Sequence, residues 1–220
     1  MFFLPVTFLI FFLFILFLPV LFVLAYFHIL ALGFENLGIS PQATIFLLFL
    51  ILLGSGINIP IGRRKWIYRT ESRFFGLFQT RRLVQQGVAI NMGGAVIPVL
   101  LSFYFLFLLR QKGFSLLPVF LVTLLIIFIS KSLAKIVPER GISLSPLIPP
   151  LFSALFALIL APKYAAACAF IAGVLGTLIG ADLLNIKKAA RYPGLISIGG
   201  AGVFDGIFLV GIISSLLTGF

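Results

Sequence analysis

Charge is scarce in this 220-residue chain, and acid is scarcer still: charged residues are 10% of it, with 16 Lys and Arg against five Asp and Glu. Too few polar side chains exist to cover a water-soluble globule of this length, which excludes an ordinary soluble domain. The single cysteine, Cys168, rules out an intrachain disulfide and a thiolate metal cluster. The single histidine, His28, rules out a His-rich metal centre. Neither a Ser-His-Asp set nor a phosphate loop ending in lysine is present, which argues against serine hydrolases, zinc proteases and ATP-driven pumps. No metal and no cofactor are expected. Residues 1–34 contain no Lys or Arg, so the basic start of a secretory signal peptide is missing and the N-terminus is expected to stay attached.

What fills the chain instead is hydrocarbon. Apolar residues make up 62%, Phe alone occurs 27 times, and the mean hydropathy is +1.27. Stretches of about 20 apolar residues are long enough to cross a bilayer as helix. They fall near 3–34, 42–59, 87–109, 115–134, 142–162, 164–185 and 194–219. The expectation is an all-α, polytopic integral membrane protein of about seven transmembrane helices, with a Gly-rich broken segment before the last. A single transmembrane domain, 1–220, would comprise N-terminal spans to residue 60, a basic loop over 61–86 and a five-helix bundle over 87–220. Pro5 and Pro19 are expected to kink the long first stretch.

The cations sit between the apolar stretches, so the net charge of +11 orients the protein and does not mark a nucleic-acid binder. Arg63, Arg64, Lys65, Arg69, Arg73, Arg81 and Arg82 lie in one loop, Lys131, Lys135 and Arg140 in a second, and Lys187, Lys188 and Arg191 in a third. The opposite loops hold only Arg110, Lys112 and Lys163. The positive-inside rule then places the three basic loops in the cytoplasm and the protein in the inner membrane. Trp66, Tyr68, Phe74, Phe75 and Phe78 interleave with the first set of charges, a composition suited to a membrane face carrying anionic lipid.

Asp182 and Asp205 are the only acids inside the apolar stretches. A carboxylate at mid-membrane costs roughly 2.5 to 3.5 kcal/mol on insertion scales, which makes each a functional-site candidate. Asp182 precedes Lys187 by one and a half turns and meets the negative end of its helix dipole, so capping does not explain it. Asp205 follows Gly199, Gly200 and Gly202, whose flexibility favours bent or extended backbone, so the last helix is expected to begin near Asp205. Capping of that helix by Asp205 is the structural alternative. Two carboxylates sharing a water split their titration, one remaining acid while the other serves as base.

The run Gly200-Ala201-Gly202-Val203-Phe204-Asp205-Gly206-Ile207-Phe208-Leu209 resembles the glycine-rich aspartate helix of the GxGD intramembrane aspartyl proteases, the group of presenilin, signal peptide peptidase and prepilin peptidase. Gly180-Ala181-Asp182-Leu183-Leu184 is similar to the site of the first aspartate on the preceding helix, and Pro146-Leu147-Ile148-Pro149-Pro150 to the Pro-Ala-Leu element. Val203 and Phe204 separate the glycines from Asp205 where the family has Gly-x-Gly-Asp, no Tyr precedes Asp182, and the proline element comes before the aspartates. The resemblance implies an endopeptidase with Asp182 and Asp205 as catalytic pair. It also implies a transmembrane peptide as substrate, contacted by Gly199, Gly200, Gly202, Pro146, Leu147 and Pro149. The chain as a whole also resembles an uncharacterised prokaryotic multi-pass family known only as a domain of unknown function.

An internal echo supports a different reading. Ile90-Asn91-Met92-Gly93-Gly94-Ala95 and Ile196-Ser197-Ile198-Gly199-Gly200-Ala201 each follow a basic loop. Paired Gly-Gly interruptions are what secondary transporters use to expose backbone to a substrate, and Asn58 and Asn91 add polar atoms at facing positions. A small transporter or proton channel would then use the same two aspartates.

Overall fold

The computed structural model describes residues 37–73, 78–137, 141–145, 147–192, 194–200 and 206–218, together with Leu18, His28, Ala31, Leu32 and Glu35. The expected first span therefore lies outside the described residues except at single positions. Helix α1 covers Pro41–Ser55; Ser40 accepts the Ala43 N–H at 3.4 Å, and proline sits in the first turn, where its missing N–H costs nothing. Strands β1 (Asn58–Arg73) and β2 (Phe78–Asn91) follow as an antiparallel ribbon. A π-helical turn, Met92–Val96, leads into α2 (Ile97–Gln111), and α3 spans Leu117–Leu133. After a small hairpin of β3 (Lys135–Val137) and β4 (Gly141–Ser143) come α4 (Ile148–Leu160) and α5 (Ala165–Thr177). A second π-helical turn, Leu178–Leu183, extends α5. The short α6 (Ile186–Ala189), β5 (Leu195–Ile198) and α7 (Gly206–Thr218) complete the chain.

The fold is mostly helical, but the all-α expectation needs correction. A three-stranded sheet in the order β1-β2-β5 and a separate β3-β4 pair are present, with β5 parallel to β2. The stretch expected to be a basic loop is thus largely strand. Its Ile59, Ile61, Ile67, Tyr68, Thr70, Val84, Val88 and Ile90 are the branched and aromatic residues that suit a pleated backbone.

Seven spans are not supported among the described residues, where two helical runs, Met92–Gln111 and Pro162–Ala189, are long and apolar enough to cross a membrane. Helices α1, α3 and α4 are apolar but have 15, 17 and 13 residues. Part of the expected length goes into strand and turn: residues 87–91 belong to β2, and 195–198 to β5.

Helix α5 forms the centre, packed by α2, α3, α4 and α7. Its Cys168, Ala169, Phe170, Ile171, Ala172 and Val174 are all fully enclosed. A helix apolar on every side belongs in the interior, and its Ala and Gly residues let neighbouring backbones approach. Phe105 of α2 meets Phe170 edge to face at 5.3 Å. Ser153 of α4 and Ser214 of α7 share a hydrogen bond beside Gly173, satisfying two hydroxyls inside the bundle. The outer faces carry exposed Phe46, Phe103, Phe107, Phe120 and Phe128, side chains that a protein in water would cover.

Candidate functional site

Two chain passages of the same form meet at one end of α5. In each, a strand runs into a Gly-Gly pair: β2 into Gly93-Gly94, and β5 into Gly199-Gly200. The strands lie side by side in parallel, Ile90 against Ile198 and Ala89 against Ser197. Gly93 rests on the backbone of α1, where an added Cβ would strike the Ile51 carbonyl oxygen and the Ser55 nitrogen. Gly199 has φ +68, a left-handed conformation natural to glycine, and lies against Ala95.

Polar side chains fasten the two passages together. Asn91, buried at the end of β2, accepts the Gly94 N–H at 2.7 Å, which caps the π-helical turn. Its amide nitrogen donates to the Ser55 carbonyl at 2.7 Å and to Asn58 Oδ1 at 3.2 Å. Ser197, the echo position of Asn91, donates to the same Asn58 oxygen. Asn58 and Asn91 do face each other, as the sequence suggested.

Asp182 enters from the π-helical turn that ends α5. It is half-buried, and its Oδ2 accepts the Gly199 N–H at 3.0 Å. A π-helical turn breaks the regular i to i−4 ladder and strands carbonyls. Asn185, absent from the sequence-based site, takes two of them, donating to Ala181 O at 2.9 Å and Gly180 O at 3.3 Å. Only its place three residues after Asp182 could have drawn notice. The middle of the same turn is fixed by Gly180, which lies against the Ile127 carbonyl of α3 and leaves no room for a side chain.

Beside the site lies a small, shallow notch between the β3-β4 hairpin and β5, lined by Ile136, Val137, Ala189, Tyr192, Leu195 and Ile196. Strand β5 is the edge of its sheet on the side away from β2. An edge strand offers unpaired backbone groups to an incoming chain.

A family model matches residues 52–217, a stretch that includes the ribbon, both Gly-Gly passages and both aspartates. The chain belongs to the family described as protein of unknown function (DUF1614). No curated protein and no solved structure matches it. In this family member Asp182 and Gly199 are joined directly, and Gly200 lies against Asn91. Leu147 is exposed at the start of α4, and Pro149 is buried in its first turn. Asp205, Gly202 and Pro146 lie outside the described residues. Among the described residues, no group of three His, Cys, Asp or Glu side chains is placed to hold a metal ion.

Proposed function

We propose that this protein is a multi-pass inner-membrane protein whose Asp182 and Asp205 form a hydrolytic pair acting on transmembrane peptide segments. The observation that carries the reading is the hydrogen bond from Gly199 to Asp182. It ties the carboxylate on one helix to the turn that leads, six residues later, to the second aspartate. Helix α7 is in place from Gly206, the residue after Asp205, as a reaction centre at a helix start requires. The thirteen cations of the three basic segments, against three elsewhere, support a cytoplasmic setting for this end of the bundle, where water is at hand.

In the mechanism, the ionised carboxylate takes a proton from a shared water, whose oxygen attacks the scissile carbonyl carbon. The protonated partner gives its proton to the carbonyl oxygen. Collapse of the tetrahedral intermediate breaks the C–N bond, the amine leaves with a proton from the pair, and a carboxylic acid and an amine result. The substrate must be extended for its carbonyl to be reached. Strand β5, at the edge of its sheet among the described residues, suits the pairing of such a strand.

A second reading has its own observation. The parallel pairing of two Gly-Gly passages, bridged by Asn58, Asn91 and Ser197, fits a transporter or proton channel in which Asp182 binds the ion. One experiment separates the two. Purified protein in lipid nanodiscs is incubated with a pool of transmembrane peptides, and a parallel sample in liposomes is assayed for ion flux. Hydrolysis predicts new peptide termini by mass spectrometry, lost in Asp182→Asn and Asp205→Asn, with no flux. Flux that needs the same two residues, without any cleavage, would replace this proposal by the transporter.

A further inference from the structure

The two π-helical turns are held by the same pair of devices, a glycine pressed against a neighbouring helix and an asparagine at one end. Gly93 of the first turn lies against α1, and Asn91 accepts the Gly94 N–H. Gly180 of the second lies against α3, and Asn185 donates to the carbonyls of Gly180 and Ala181. The first turn consists of Met92, Gly93, Gly94, Ala95 and Val96, none of which ionises. The second contains Asp182.

A π turn joins residues five apart where an α-helix joins residues four apart, so it holds one residue more. At 3.6 residues per turn, one residue is a rotation of about 100°. Were Leu178–Leu183 to relax to α-helix, Asp182 would swing about the axis by roughly that angle. Gly199, held by the pairing of β5 with β2, would stay behind. The 3.0 Å hydrogen bond between them therefore depends on the π geometry.

Asn185 keeps that geometry from closing. The backbone donors that an α-helix would bring to Gly180 O and Ala181 O are the N–H groups of Leu184 and Asn185. They go instead to Ile179 O and Asp182 O, at 3.0 and 3.2 Å. The Asn185 side chain, 9% exposed, takes over for both. Its stronger bond, 2.9 Å, is to Ala181 O, which belongs to the peptide unit that joins Ala181 to Asp182. A donor is required there, because both partners are carbonyl oxygens.

We infer that Asn185 is a positioning residue: it holds the π turn open and thereby aims the Asp182 carboxylate at Gly199 and the reaction centre. Its effect on catalysis rests on the hydrolytic reading, whereas the aiming of Asp182 is measured without it.

Asp182 and Asp205 are the only aspartates of the chain. Aspartate labelled with carbon-13 at the carboxyl carbon therefore gives one signal for each in solid-state magnetic resonance of the whole protein in liposomes, and Asp205→Asn identifies that of Asp182. Asn185→Leu, similar in volume but without a donor, should move the Asp182 signal. In the peptide assay kcat should fall about a hundredfold with KM unchanged, the cost of a reacting group misplaced by about 1 Å. If the leucine variant does not fold, Asn185→Gln supplies the reading, since its longer stem displaces the gripped peptide and should also move the signal. A signal that moves in a protein that cleaves no peptide would end the hydrolytic reading and leave the positioning role standing. An Asp182 signal unmoved in the folded variants would overturn the inference, whatever the cleavage rate.

Discussion

The two strand-to-Gly-Gly passages differ in where the polar backbone group at the break finds its partner. After β2, the Gly94 N–H is taken by Asn91, a neutral side chain three residues earlier in the same segment. After β5, Ser197 stands at the position of Asn91, and the Gly199 N–H is taken by Asp182 of another helix. The first passage satisfies itself, whereas the second depends on an ionisable group from elsewhere. An amide would serve as well to hold a turn, so the proposed hydrolysis rests on the carboxylate at the second passage, while the amide at the first holds the scaffold.

The largest effect expected from this contrast is on activity. Asp182→Asn keeps an oxygen able to accept the Gly199 N–H, so the fold should persist while peptide cleavage falls by about 10² to 10⁴-fold. Equal loss of stability and activity would reduce Asp182 to a second scaffold. Stability can be followed through Cys168, the only cysteine, whose buried thiol reacts with a dye only on unfolding. Gly93→Ala drives a Cβ into the backbone of α1, and overpacking of this kind costs about 1 to 3 kcal/mol or more. Its melting temperature should drop accordingly.

Smaller changes sharpen the comparison. Asn91→Ala strands the buried Gly94 N–H and deprives the Ser55 carbonyl of its side-chain donor, a loss of about 1 to 3 kcal/mol in the same dye assay. Ser197→Ala removes one donor to Asn58 at a half-buried position and should cost about 0.5 to 1.5 kcal/mol, toward the lower figure. If the serine change proved the more damaging of the two, the first passage would not be the self-supporting one.

Much of this site was legible in the sequence, but in separate pieces. The glycines at 93–94 and 199–200 announced breaks, while the expected helix start at Asp205 lies outside the described residues, which take up α7 at Gly206. The facing of Asn58 and Asn91 was also readable from their places at the ends of neighbouring apolar stretches. The ribbon was not. Its charges interrupt the apolar alternation that identifies a strand, and the pairing that defines it joins Asn58 to Asn91 across 33 residues. The two π-helical turns were equally hidden, because Asn185 closes one after the fact and close backbone packing at Gly93 fixes the other. The bond between Asp182 and Gly199 depends on how α5 and β5 are set in space, which no local pattern encodes.

Cross-linking tests the central claim, that Asp182 and Asp205 share one water. In a Cys168→Ala background, Asp182→Cys and Asp205→Cys are combined and treated with a short bifunctional thiosulfonate, then the chain is cut at Lys187 and Lys188 between them. The account predicts that the two fragments stay joined until reductant is added. Fragments that separate without reductant, although each thiol reacts with a monofunctional reagent, would contradict it.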